Sequence, residues 1–121
     1  MIEAMQAKID RTEYWDMNIL DFYTSFFGDE ITILVYYDEE TSWKITFLTC
    51  CQAAYETDAA RRSIEHVRDM KKPQLGYYGQ EITLRESREL EGFYEVSIDL
   101  SILTARLVCK GVRVEQVPNG L

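Results

Sequence analysis

A single imidazole limits the catalytic chemistry that this sequence can perform. Serine and cysteine hydrolases need a nucleophile beside a base, and the only histidine, His66, is flanked by Glu65 and Val67. The patterns GxSxG, GxxxxGKS/T, GxGxxG and HExxH, which mark hydrolase elbows, nucleotide sites and zinc proteases, do not occur. The sequence therefore predicts no catalytic residue and no cofactor.

Paired carboxylates are the remaining route to acid–base catalysis. Asp29 and Glu30 precede the strongest strand pattern of the chain, and Asp38, Glu39 and Glu40 follow it. A strand of that length separates the two groups by about 20 Å, whereas the catalytic carboxylates of glycosidases lie less than about 10 Å apart. Both groups are therefore interpreted as solvated turns or as carboxylates that meet a partner.

The three cysteines predict neither a disulfide framework nor a metal site. Cys50 and Cys51 are adjacent and Cys109 stands alone, so no CxxC spacing is present. Neighbouring strand residues face opposite sides of a sheet, so Cys50 and Cys51 cannot both face Cys109. We expect buried, inert thiols in the reducing cytoplasm, and no bound metal.

The segment 74–80 is the most distinctive local sequence. Gly76 and Gly79 bracket Tyr77 and Tyr78, so the backbone can bend sharply while the two rings present rigid, amphipathic surface. The segment is either a binding site or a structural corner whose tyrosines pack over the edge of a sheet.

An exposed aromatic residue is also expected beside the acidic turn. Tyr36 and Tyr37 are neighbours at the end of a strand, so their side chains point to opposite faces. Tyr37 adjoins Asp38, and it is the one assigned to a partner-binding surface.

The net charge of −8 excludes several classes of ligand. An acidic surface opposes attachment to nucleic acid or to anionic lipid. Residues 1–60 carry 12 acidic and 3 basic residues, whereas residues 61–121 carry 9 and 10. The concentration of negative charge in the first half either serves solubility or attracts a basic partner.

Alternation of apolar and polar residues predicts about six strands, mostly antiparallel. The first covers residues 15–23, and a hairpin joins residues 31–37 to residues 43–51. Further strands follow at residues 81–85, 94–100 and from 103 onward. In the last of these, Gly111 permits a bulge before Val112 and Val114 resume the pattern.

One helix is predicted after the third strand, over residues 58–70. Ala60, Ile64 and Val67 share one helical face, and Pro73 follows the last turn. Residues 2–9 fit a helical stripe only weakly. These elements make an α+β fold, a mostly antiparallel sheet or β-sandwich-like domain, with residues 1–121 in a single globular domain. Neither a signal peptide nor a membrane helix is expected.

Several segments together carry a resemblance to known proteins: 45–51, 55–58, 74–82, 100–103 and 108–110. They resemble a group of small bacterial proteins, some of which are encoded near polymorphic or contact-dependent toxin genes. The resemblance covers residues 15–115. It implies a cytoplasmic bacterial protein of the immunity type, which blocks a toxin domain, and it carries over no active residues.

Two functional hypotheses follow. The first is a non-catalytic binding module that covers a basic toxin domain, for example a nuclease, through these residues: Asp29, Glu30, Tyr37, Asp38, Glu39, Glu40, Tyr77 and Tyr78. The second is a small-ligand or enzymatic domain with a pocket between sheet and helix near Tyr77, Tyr78 and His66. An exposed sheet edge could also pair two copies in a homodimer.

Overall fold

The described part of the chain folds into two antiparallel sheets and one α-helix. The computed structural model describes residues 1–62 and 67–119. The elements are α1 (Ile2–Asp10), β1 (Ile19–Ser25), β2 (Glu30–Tyr36), β3 (Thr41–Leu48), β4 (Gln52–Thr57), β5 (Glu81–Glu86), β6 (Tyr94–Asp99), β7 (Leu103–Cys109) and β8 (Gly111–Pro118). The sheets have the strand orders β1-β2-β3-β8 and β4-β7-β6-β5. The predicted α+β fold, rich in antiparallel sheet, is confirmed.

Alternating strand residues from both sheets build one hydrophobic core. Ile33 of β2 is paired with Ile45 of the neighbouring strand β3 in the first sheet. Ile98 of β6 is paired in the same way with Ala105 of β7 in the second. All four are buried. Burial of an isoleucine side chain contributes about 1.5–3 kcal/mol, so the alternation that predicted these strands is also what stabilises them.

The chain crosses between the sheets at two neighbouring places, and this explains two errors of the sequence-based prediction. The strand that was expected to reach Cys51 ends at Leu48, and Thr49 adopts a positive φ of 55°. Instead of a bulge at Gly111, β7 ends in the second sheet and β8 begins in the first. The two crossings are held side by side because the Lys110 amide donates to the Leu48 carbonyl at 2.9 Å.

Residues 1–62 and 67–119 contain eight strands, where about six were expected. Besides the division of the last predicted strand, β4 was overlooked, because its central residues Ala53, Ala54 and Tyr55 show no apolar–polar alternation. It lies at the edge of its sheet, where each of its residues is exposed. The first strand also begins four residues later than predicted, at Ile19.

The α-helix was placed in the wrong part of the chain. The described residues of segment 58–70 include only the short 3₁₀ helices Ala59–Arg61 and Val67–Asp69, and Val67 is 46% exposed. Residues 63–66 lie outside the described residues. Within the described residues, the α-helix is instead the N-terminal segment, which buries Met5 and Ile9.

Helix α1 and the residue Tyr14 together cover β5, an edge strand. The Gln6 side chain donates to the Ile82 carbonyl at 2.8 Å and accepts from the Leu84 amide at 2.9 Å. The Tyr14 hydroxyl accepts from the Ile82 amide at 2.8 Å. Because an uncovered edge strand invites pairing with other chains, the N-terminal segment protects this edge. Within the described residues, no helix is long and apolar enough to cross a membrane.

The cysteines follow the sequence-based expectation in two cases of three. Cys50 and Cys109 are buried and free, whereas Cys51 is exposed, contrary to the expectation that all three would be buried. A hydrogen bond with Cys50, together with burial, raises the pKa of the Cys109 thiol. That thiol therefore stays protonated and unreactive at neutral pH.

Candidate partner-binding surface

The structure divides the predicted binding residues between the two ends of β2. Asp29 and Glu30 lie at its start, beside the turn from β1, whereas Tyr37 and the acidic turn residues follow its last residue, Tyr36. The separation expected from the sequence is thus confirmed. The two groups cannot form one compact site.

Backbone contacts bring two further segments to the Tyr37 end of β2. The Tyr36 amide donates to the Asn18 carbonyl at 2.9 Å, and Asn18 forms an antiparallel bridge with Tyr78. Trp15 forms a parallel bridge with Gly79. Segments 15–18, 36–41 and 77–80, which are remote in sequence, therefore meet here. We call this surface the aromatic end.

Three half-exposed aromatic rings give the aromatic end its character. Trp15, Tyr37 and Tyr78 are 46%, 49% and 39% exposed. Trp15 stacks on the buried Tyr14 with 4.4 Å between ring centroids, and Tyr37 packs edge-on against Trp43 at 6.0 Å. Rings that are held by neighbours but keep a free face lose little entropy on binding, which is why aromatic residues are enriched at interfaces.

Trp15 was missed by sequence reasoning, and Tyr77 was given too much weight. The alternation around Trp15 placed it in a strand, whereas it precedes β1 and stays exposed. Tyr77 packs against the core, the Arg62 guanidinium lies 5.8 Å from its ring centroid, and its carbonyl accepts from the Ile19 amide. Tyr77 therefore acts as the structural corner, while Tyr78 is the ring that a partner can reach.

The acidic turn of the aromatic end contains one structural and two unpaired carboxylates. The Asp38 carboxylate accepts from the Glu40 amide, the Thr41 amide and the Thr41 hydroxyl at 2.9, 2.8 and 3.2 Å. Glu39 and Glu40 are exposed, and their side chains make no hydrogen bond or ion pair with the described residues. Their charges are therefore free to act on a partner.

Replacing Asp38 with alanine is expected to lower the melting temperature, because two amides of the turn lose their acceptor. The hydrogen bonds from Thr41 and Glu40 lower the pKa of Asp38. Since its pKa is lower in the folded state than in the unfolded state, its contribution is present above the ordinary aspartate pKa and is lost as the pH falls through the lowered value. Thermal unfolding should show the difference from wild type at pH 7 and its loss below about pH 4. A difference that persisted in acid would contradict this role.

The opposite end of β2 carries a second exposed aromatic group. Phe26 and Phe27 lie in the turn between β1 and β2, where Gly28 separates them from Asp29 and Glu30, and both are exposed. The sequence did not reveal them, because two phenylalanines after a strand are normally expected in a core. We call residues 26–30 the phenylalanine turn.

The outer face of the second sheet is an open, charged surface. Arg106 lies on the middle of this face between Ala54 and Ser97, and two clefts of about 510 and 750 Å³ flank it. Glu81 and Asp99 lie directly opposite each other on neighbouring strands. Both clefts lie on a solvent-facing sheet surface, a shape suited to a macromolecule rather than to an enclosed small ligand.

The pocket of the second hypothesis has little support in the geometry. A cleft of about 190 Å³ lies beside Tyr77, between Phe22, Tyr55 and Leu75, which is below the roughly 300–1,000 Å³ of ordinary ligand sites. His66, proposed to line that pocket, lies outside the described residues. Among the described residues, no three histidine, cysteine or acidic side chains converge as metal ligands would.

Comparisons with known proteins identify a family and a shared fold. A family model described as "Immunity protein PIM7" matches residues 1–116. A crystal structure of an uncharacterized protein from Neisseria gonorrhoeae is similar, with a TM-score of 0.53 and 13% sequence identity, over 86% of this chain and 94% of that one. At that identity the likeness shows a shared fold alone. No curated protein matches the chain.

Proposed function

The chain belongs to the PIM7 family of immunity proteins, and from that premise we propose that it neutralises a basic toxin domain by covering it. It acts by binding alone and catalyses no reaction. A nuclease is the class of toxin that fits best, because a nuclease attracts polyanions with basic surface and an acidic protein can occupy the same surface. The protein would act in the bacterial cytoplasm.

The aromatic end is the observation that carries the proposal. It combines two rings that pack against Tyr14 and Trp43 with the unpaired carboxylates of Glu39 and Glu40. Interfaces of high affinity rely on a few aromatic anchors, surrounded by polar residues that exclude water. Opposite charges accelerate encounter and disfavour wrong partners.

The distribution of charge supports a basic partner. The first 60 residues have a net charge of −9. They contain strand β2, which carries the aromatic end at one terminus and the phenylalanine turn at the other. Residues 61–121 have a net charge of +1. A field concentrated on one part of the molecule can orient it as a basic partner approaches.

Neutralising the aromatic end should slow association with the proposed toxin domain. In the variant Glu39→Gln/Glu40→Gln, we expect the association rate constant at low salt to fall by about 3- to 10-fold, with little change in dissociation, because exposed charges act mainly on encounter. Stopped-flow mixing or surface-based kinetics would measure both rates. Asp38 is left intact, since its carboxylate holds the turn.

The matched control is Glu89→Gln/Glu91→Gln. It removes the same charge from exposed positions in the turn between β5 and β6. If only net charge mattered, both variants would slow association equally. An association rate that is the same for the aromatic-end variant as for wild type would reject that surface.

A further inference from the structure

The phenylalanine turn presents two large apolar side chains to solvent. Phe26 is 69% exposed and Phe27 is 110% exposed, against a reference residue in an extended chain. They are consecutive, and they lie at the tip of the β1–β2 connection. Single exposed apolar residues are ordinary, whereas two adjacent, largely exposed rings on a turn form a contiguous apolar patch of the kind that marks interaction sites.

The backbone of this turn is unfavourable for phenylalanine. Phe26, Phe27 and Gly28 have positive φ values of 54°, 62° and 104°. The left-handed region suits glycine, and it suits asparagine better than a bulky residue. Since the rings are exposed, they contribute little burial to the fold. The structure therefore holds two phenylalanines where glycine or asparagine would serve the turn better, and strain of this kind tends to accompany function.

The immediate surroundings of the rings are acidic. Asp29 is exposed and Glu30 is half-buried, and neither forms an ion pair within the described residues. The Asp29 backbone is fixed, because its carbonyl accepts from the Cys50 amide at 2.8 Å. The two rings therefore lie next to a segment whose backbone is fixed and whose carboxylates are negatively charged. An anionic membrane would be repelled by these carboxylates, whereas an apolar pocket with basic residues on its rim would fit both features.

We propose that Phe26 and Phe27 insert into an apolar, basic-rimmed pocket of the toxin domain and anchor the complex. This rests on the proposed function and adds the contact that holds the partner in place. Strand β2 separates the phenylalanine turn from the aromatic end by about 20 Å. A standard interface of about 800 Å² per partner is roughly 30 Å across, so one toxin domain can contact both.

The variant Phe26→Asn/Phe27→Asn tests the anchor without removing the turn, because asparagine tolerates the left-handed region. We expect the dissociation rate from the proposed toxin domain to rise at least about 30-fold, as for other aromatic anchors, while the melting temperature stays the same or rises. The variant Asp29→Asn/Glu30→Gln should instead slow association at low salt. Val67→Ala, a change at an exposed apolar residue elsewhere, should alter neither rate.

The outcomes separate the anchor from the proposed function. If wild-type protein binds the toxin domain and the asparagine variant dissociates as slowly, the anchor is overturned and the function stands. If wild-type protein does not bind at all, both are overturned. The anchor is also overturned if the rings serve another occupant. In that case wild type but not the variant would sediment with phosphatidylglycerol vesicles, or would form dimers in analytical ultracentrifugation.

Discussion

Replacing Gly79 with alanine is expected to lower the free energy of unfolding by about 3 kcal/mol or more. A Cβ at this position would overlap the backbone carbonyl oxygen of Tyr14 and would lie 2.9 Å from its Cδ1 atom. Backbone cannot yield as a flexible side chain can, so residues 14–17 and 77–80 would have to separate. That separation would break two hydrogen bonds, from Asp16 to Gly79 at 2.8 Å and from Gly79 to Met17 at 3.0 Å.

The matched control for this change is Gly111→Ala. A Cβ added at Gly111 would meet no heavy atom within 4 Å, and the φ of Gly111 is not positive. Its replacement should change the free energy of unfolding by less than about 0.5 kcal/mol. Urea denaturation of both variants would measure the contrast. A Gly79→Ala protein as stable as Gly111→Ala would show that the two segments of the aromatic end do not approach this closely.

Replacing Tyr14 with phenylalanine is expected to lower the free energy of unfolding by about 1–3 kcal/mol, because the buried Ile82 amide loses its acceptor. The amide donates to the Tyr14 hydroxyl at 2.8 Å, and the ring itself is buried. Phenylalanine keeps the ring, so packing against Trp15 should survive. Tyr78→Phe, in an exposed ring, should have little effect in the same urea denaturation.

The pH dependence of the Tyr14 effect has a defined sign. Burial raises the pKa of Tyr14. A group whose pKa is higher in the folded state contributes stability below its unfolded pKa and loses it as the pH rises through the folded value. The advantage of wild type over Tyr14→Phe should therefore be constant near neutrality and shrink above about pH 10. An advantage that grew in alkali would contradict the burial of this hydroxyl.

Strands were predictable from the sequence where one face of the strand is buried and the other is exposed to solvent. In β6 and β7 the buried residues Val96, Ile98, Ala105 and Leu107 alternate with exposed ones, so the period of two is visible in the sequence. Strand β4 lacks this signal because it is an exposed edge. The crossings between sheets were not predictable, since a local pattern does not say which sheet receives the next strand.

Helices were harder to predict, because an apolar stripe with helical spacing stabilises a helix only where other parts of the protein bury it. Ala60 and Val67 have helical spacing, yet both are exposed. Met5 and Ile9 form a weaker stripe, yet it is buried, and the Gln6 side chain adds hydrogen bonds to β5. Tertiary contacts thus stabilise the helix at residues 2–10, whereas helical spacing without burial did not suffice for the described residues of segment 58–70.

The candidate surface was only partly visible in the sequence. The acidic turn beside Tyr37 could be predicted from composition and strand ends, as could the exposure of one tyrosine near it. The contribution of Trp15 depends on backbone bridges between distant segments. The exposure of Phe26 and Phe27 depends on a turn conformation that phenylalanine seldom adopts. Neither follows from local patterns.

Binding kinetics between the purified protein and the toxin domain that it is proposed to neutralise test the central claim most directly. We expect a one-to-one complex that abolishes toxin activity, with an association rate that falls steeply from about 0.01 M to about 1 M salt as exposed charges are screened. A toxin that remains active with saturating protein, or an association rate that does not respond to salt, would contradict neutralisation of a basic domain by an acidic surface.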